Sequence, residues 1–265
     1  MSSILNYVVT GSERDHVLLL IHPLGADLHF WDDFVAAIDG RMTTLAVDLR
    51  GAGSSPGSGR PVSLAEHVAD IEAVRNALRV SAASAIGCAI GAMSAASYAA
   101  LHPDRTRALV MVNPTPRTLP QAKDMLTARA ETVRQGGMQA ILPGAVERAF
   151  LNLPHDARYD FYMKRFSEQD AEAYAVALLA AAEADATEAI GKVGCPTLLV
   201  PGRHDVLLPM ANAEAVQALL PQARMSVMED AAHFVPYQQP LRLAELVLDF
   251  VGRPSAASHA SERYA

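Results

Sequence analysis

Five short runs, at 16–21 (HVLLLI), 43–47 (TTLAV), 82–87, 108–112 (ALVMV) and 196–200 (PTLLV), contain almost no polar residue. A strand with one wet face alternates apolar and polar side chains, whereas a near-continuous apolar run suits a strand covered on both faces. Segments of helical periodicity separate these runs. The alternation predicts an α/β fold, with a mostly parallel central sheet and helices on both faces. Ser63 with Glu66 three residues later forms a capping box, opening a helix to about Val80 with Leu64, Val68, Ile71, Val74 and Leu78 on one side. A helix is expected over 90–101, a further strand over 224–228, and a closing amphipathic helix over 241–251 after Pro240.

Between 116 and 190 the texture changes to helical periodicity, rich in Ala, with a Gly136–Gly137 break and no strand signal. The expected organisation is therefore a discontinuous core, 1–115 and 191–252, with a helical lid at 116–190. That lid would lie over the carboxyl ends of the strands, where open α/β sheets bind ligands. The tail 253–265 is small and polar, and is expected to be disordered.

Apolar residues make up 51% of the 265 and charged residues 19%, the balance of a globular chain with a sizeable core. A formal net charge of −7 with scattered Arg and Lys argues against a nucleic-acid partner. Cys88 and Cys195 stand in no CxxC or Cys/His spacing, so no metal site, disulfide or other cofactor is expected. The N-terminal stretch lacks a signal-peptide pattern, and no apolar window reaches the ~20 residues of a membrane span. A cytoplasmic enzyme acting on a small-molecule substrate, away from membranes, is the expectation, with homo-oligomerisation left open.

Candidate chemistry gathers in loops that follow the apolar runs. His22-Pro23-Leu24-Gly25-Ala26-Asp27-Leu28-His29-Phe30-Trp31 follows the first, and Gly87-Cys88-Ala89-Ile90-Gly91 follows the third. Gly202-Arg203-His204-Asp205 follows the run at 196–200, and Asp230-Ala231-Ala232-His233 follows the strand expected over 224–228. A Gly-x-x-x-Gly strand-to-helix turn, then an acid, then a His resembles the α/β-hydrolase fold family. The stretches DLRGAG at 48–53, NPTP at 113–116, PTLLVPGRHDVLLP at 196–209 and MEDAAHFVPYQQP at 228–240 extend the resemblance over 5–251.

The resemblance implies that Ala89 occupies the nucleophile position, with Asp205 and His233 as acid and base. The N–H groups of Leu24 and Ile90 would form the oxyanion hole; Pro23 lacks an N–H and is spared that task. His29 and Trp31 would line the pocket or anchor the following helix, and Arg129, with Arg117 and Arg134 nearby, could meet a substrate carboxylate. Cys88, one residue early, should point away from the pocket. Asp48 and Arg50 are expected to tie loops together.

A methyl group at position 89 excludes covalent acyl-enzyme chemistry. Three explanations stand open: a Ser→Ala replacement made to trap a ligand, a natural enzyme in which His233 activates water, or a ligand-binding pseudo-enzyme. The LGADLHFW loop resembles 3-oxoadipate enol-lactonases. The turn with alanine resembles aminoacrylate (carbamate) hydrolase-like proteins. Methylketone synthases also resemble it in carrying alanine there, and they decarboxylate 3-oxo acids. The expected function is hydrolysis of a lactone, ester or carbamate-like bond in a small carboxylate-bearing metabolite, the alternative a serine-free lyase or decarboxylase.

Overall fold

The computed structural model describes residues 4–151 and 153–252; the expectation for 253–265 lies outside them. Seven strands make one sheet: β1 (Tyr7–Thr10), β2 (Val17–Ile21), β3 (Thr43–Val47), β4 (Ala83–Cys88), β5 (Thr106–Val112), β6 (Thr197–Val200) and β7 (Arg224–Met225). Their spatial order is β1-β3-β2-β4-β5-β6-β7, with β1 antiparallel to β3 and every other pair parallel. The helices of the first half are α1 (Asp32–Ile38), α2 (Leu64–Ala77) and α3 (Ile90–Leu101). The middle of the chain holds α4 (Pro120–Gly136), α5 (Gly144–Glu147), α6 (Ala157–Ser167), α7 (Ala171–Ala182) and α8 (Thr187–Ile190), and α9 (Met210–Leu219), α10 (Val235–Gln238) and α11 (Pro240–Val251) close it.

The strands are apolar throughout because both of their faces are covered. Leu18, Leu20, Ile86, Val110 and Val200 feed one core, against α1 and α11; Leu19, Ile21, Ala85, Leu109 and Leu199 feed the other, against α2, α3, α8 and α9. Two strand expectations need correction. The run at 224–228 pairs as a strand only over Arg224–Met225; Met228 makes a single bridge to Gly202, because the chain already turns there toward His233. The edge strand β1 was not anticipated, since its half-exposed YVVT carries no continuous apolar run.

The middle helices enter and leave the sheet side by side. Thr118 N–H donates to Ala184 O at 2.9 Å and Ala186 N–H to Pro116 O at 2.8 Å, with Arg117 bridging Asp185. Among the described residues no strand lies between them, and α4 packs along α7. Gly137, at φ 70°, stops α4. No helix among the described residues is long and apolar enough to cross a membrane.

Two glycines set the junction of β4 and α3. A Cβ on Gly87 would stand 2.0 Å from Gly91 O, and one on Gly91 would stand 2.3 Å from Ile21 O. Both clashes are with backbone of the sheet or helix, which no rotamer change relieves. Gly91→Ala should therefore lower unfolding free energy by about 2–3 kcal/mol. Gly144→Ala, where a Cβ meets nothing within 4 Å, should change it little; urea unfolding of the two variants checks this.

Behind α3, His67 of α2 is buried with its Nδ1 2.9 Å from Ser94 Oγ. Burial pushes His67 down from 6.5 to about 4. The unfolded chain therefore takes up this proton first, so the stability His67 contributes is complete above pH 6.5 and is lost as pH falls toward 4. The loss of unfolding free energy between pH 7 and pH 4 should be about 2–3 kcal/mol larger for the native chain than for His67→Gln. Denaturant titrations at both pH values measure the difference.

Candidate active site

The loop after β2 is held by a histidine of fixed tautomer. Leu49 N–H donates to His22 Nε2 at 2.9 Å, so the ring proton sits on Nδ1 and goes to Pro23 O at 2.8 Å. Burial lowers the His22 pKa and keeps the ring neutral. Because a trans peptide is planar with C=O and N–H opposed, anchoring the Pro23 carbonyl turns the Leu24 N–H the other way, toward the cavity that Leu24 lines. Buried Asp48 fixes the next part of the loop, accepting from Leu28 N–H at 2.7 Å and, on its other oxygen, from Ser54 N–H at 2.8 Å. From above, α6 and the turn after it grip the same loop: Tyr162 Oη and Gln169 Nε2 both donate to Gly25 O, at 2.9 and 2.8 Å, and Arg165 pairs with Asp27.

At the turn after β4, Ala89 adopts φ 51° and ψ −113°, a strained conformation for a residue with a Cβ. The turn presents Ile90 as the first residue of α3, where helix N–H groups lack an intrahelical acceptor and carry the positive end of the dipole. Neither the Ile90 nor the Leu24 N–H donates to another group among the described residues. Cys88 is fully buried with Sγ 3.7 Å from His233 O, and burial raises its thiol well above the ordinary value.

His233 Nδ1 lies 2.8 Å from Asp205 Oδ2. The other carboxylate oxygen accepts from Leu207 and Leu208 N–H at 2.8 and 2.9 Å. Burial alone would raise the Asp205 carboxyl; the facing His233 and the hydrogen bonds outweigh it and hold the carboxyl below its usual value. Position 202 must be glycine, since a Cβ there would stand 2.1 Å from Ala232 O in the His233 loop. Sequence reasoning missed Asn113. It sits at φ 45° after β5, and its Nδ2 donates to Asp205 Oδ2 at 2.6 Å and to Ala232 O at 3.0 Å, tying the loops of Asp205 and His233 together. A polar residue ending a buried strand just before Pro114 was the available signal.

Two cavities adjoin along Leu24, Ile90, Tyr174 and Ala181. The smaller, about 180 Å³, brings the candidate residues together: Ala89, Ile90, Leu24 and His233 all line it. Its remaining wall is largely apolar, and its charged groups are Arg117 and Arg129, with no acidic side chain lining it among the described residues. Hydrogen bonds from Thr187 hold the Asp185 carboxyl below its usual value, with the nearby charge of Arg117 adding to them, while Arg129 bonds to the Tyr174 hydroxyl. Arg134 instead pairs with Glu172 on the surface. His29 and Trp31 do not line the cavity, contrary to one of the two roles expected. The short helix Leu28–Trp31, capped by Asp27, turns the Trp31 indole inward against Phe30 and Phe34, and leaves His29 outside, paired with Asp32 at 2.9 Å. Among the described residues no cluster of three His, Cys, Asp or Glu could hold a metal ion.

The chain belongs to the alpha/beta hydrolase fold family, whose profile matches residues 16–240. It is thereby placed among enzymes of that fold. It is 25% identical to 3-oxoadipate enol-lactonase 2 of Acinetobacter baylyi over 89% of this chain and 88% of that protein. It is 31% identical to a pimeloyl-(acyl-carrier protein) methyl ester esterase of Neisseria meningitidis, over 88% of this chain and 92% of that one. The solved enol-lactonase of Burkholderia xenovorans shares the fold with a TM-score of 0.86 at 24% identity, covering 94% of this chain and 96% of that one.

Asn113→Ala should lower kcat about tenfold with KM nearly unchanged, since one hydrogen bond to a charged acceptor is worth about 1.5 kcal/mol. Steady-state kinetics with a hydrolysed substrate, alongside a melting curve, separate this effect from loss of fold.

Proposed function

We propose that this protein hydrolyses a lactone, ester or carbamate-like bond in a small carboxylate-bearing metabolite, with His233 activating water directly. The observation that supports this most is an imidazole held at Nδ1 by buried Asp205, 2.8 Å away, in the wall of a cavity shared with the methyl of Ala89. With no hydroxyl at position 89, the base has no side-chain nucleophile to activate, and water is the remaining one.

In this reading His233 Nε2 takes a proton as the water oxygen bonds to the acyl carbon, and the carbonyl electron pair moves onto its oxygen. The N–H groups of Leu24 and Ile90 receive that oxyanion, an interaction worth several kcal/mol in a water-poor site. Asp205 keeps the tautomer correct and stabilises the imidazolium. Collapse of the tetrahedral intermediate breaks the bond to the leaving group, which takes the proton back from His233. Helices α4–α8 act as the lid, and Arg129, held by Tyr174, receives the substrate carboxylate. The lactone and ester substrates named for the relatives agree with the bond class. The two free cysteines suit a reducing, cytoplasmic setting.

His233→Ala should abolish turnover, whereas Ala89→Ser should change kcat/KM by less than about tenfold. A rise of several orders of magnitude in Ala89→Ser would contradict water activation and favour a serine hydrolase whose nucleophile has been replaced. Arg129→Ala should raise KM for a carboxylate-bearing lactone by about 10–100-fold and leave its neutral methyl ester unaffected. Equal losses on both substrates would remove Arg129 from recognition.

A further inference from the structure

We infer that Tyr162 and Gln169 are positioning residues for the loop of Leu24, which holds its N–H in place only while α6 is docked on it. The inference rests on the proposed function, in which the Leu24 N–H receives the oxyanion. The loop is anchored on either side of the Leu24–Gly25 peptide. Upstream, His22, at the end of β2, holds the Pro23 carbonyl. Downstream, the Gly25 carbonyl accepts from Tyr162 Oη of α6 at 2.9 Å and from Gln169 Nε2, in the turn before α7, at 2.8 Å. A carbonyl oxygen has two lone pairs, and these two donors fill both. Gly25 stands at φ 75°, and a residue without a Cβ rotates readily, so its own backbone does not fix the turn.

Other contacts join the same two parts. Phe166 of α6 closes on Gly25 so tightly that a Cβ there would stand 2.6 Å from its ring, and Arg165 pairs with Asp27. The Tyr162 ring packs on that of Phe234, the neighbour of His233, with centroids 4.7 Å apart. One side chain is thus tied to the loop of Leu24 by its hydroxyl and to the loop of His233 by its ring. Burial raises the Tyr162 phenol well above its ordinary value, so it stays protonated and remains a donor. Gln169 does not line the smaller cavity that Leu24, Ala89 and His233 share, so its effect on bond breaking there passes through Gly25.

The test is steady-state kinetics of Tyr162→Phe, Gln169→Met and the double variant on a lactone the native chain hydrolyses, with deuterium uptake over residues 22–28 read by mass spectrometry. Each single variant leaves Gly25 one donor, so kcat should fall less than about threefold. The double variant should lose at least about 30-fold in kcat, with KM within about threefold of native. Exchange over 22–28 should quicken at least about tenfold in the double variant only. Tyr98→Phe removes a phenol that donates to Glu72 at 3.0 Å in the other core, and should lower the melting temperature without changing kcat or exchange over 22–28. If the double variant does not fold, Arg165→Met with Gln169→Met, which alters two half-buried side chains, replaces it, with an expected loss of at least about tenfold in kcat. The inference is overturned by a loss carried in full by Tyr162→Phe alone, by a loss in KM instead of kcat, or by unchanged exchange over 22–28. Uptake is read without turnover, so it tests the positioning even where His233→Ala retains activity and the water-activating reading fails.

Discussion

The close approach of α3 to the ends of β2 and β4 is the constraint on which the rest of the site depends. Gly91 lets the first turn of the helix sit against the carbonyls of Ile21 and His22, and Gly87 lets the strand pass under it. Only with the helix that near can Ile90 present its N–H beside the loop of Leu24. The same approach forces Ala89 to φ 51°. Strain of this kind persists only where the surroundings over-determine it, and here two parallel strands and a buried helix do so.

Around that junction, the loops are held by polar groups with little freedom. His22 can orient the Pro23 carbonyl in one way only, because Leu49 fixes its tautomer. Asp205 has both oxygens occupied, by His233 and Asn113 on one and by Leu207 and Leu208 on the other. An aromatic cluster then fastens the middle helices to the base: Phe234, next to His233, packs on Phe30, Phe150 and Tyr162 with ring centroids 5.3, 5.7 and 4.7 Å away. The His233 imidazole, the loop of Leu24 and α6 are thus parts of one packed unit, which favours a preorganised site.

How far the sequence reveals this varies with the range of the interaction. The capping box of Ser63 and Glu66 is local, and both of its hydrogen bonds form, at 3.2 and 3.0 Å. Helix α3 begins and ends where the small-residue pattern places it, at Ile90 and Leu101. The doubly buried strands are legible because burial on both faces writes itself into every residue. β1 is not, because an antiparallel edge has one wet face and only 4 residues. Trp31 was ambiguous in sequence because the sense of a single 3-10 turn decides whether an indole faces core or cavity. Asn113 lies 92 residues from Asp205, and His67 lies 27 residues from Ser94, so neither contact leaves a mark in local spacing. The wall of the larger cavity combines segments distant in sequence in the same way.

The central claim is that Asp205 and His233 work on water beside a methyl group. Intact-protein mass spectrometry during a single turnover of a carboxylate-bearing lactone, with excess native chain, addresses it most directly. The account predicts product formation while the protein mass stays unchanged at every time point, and no product in His233→Ala. Absence of product from the native chain, with a transient acyl adduct and turnover appearing in Ala89→Ser, would contradict it.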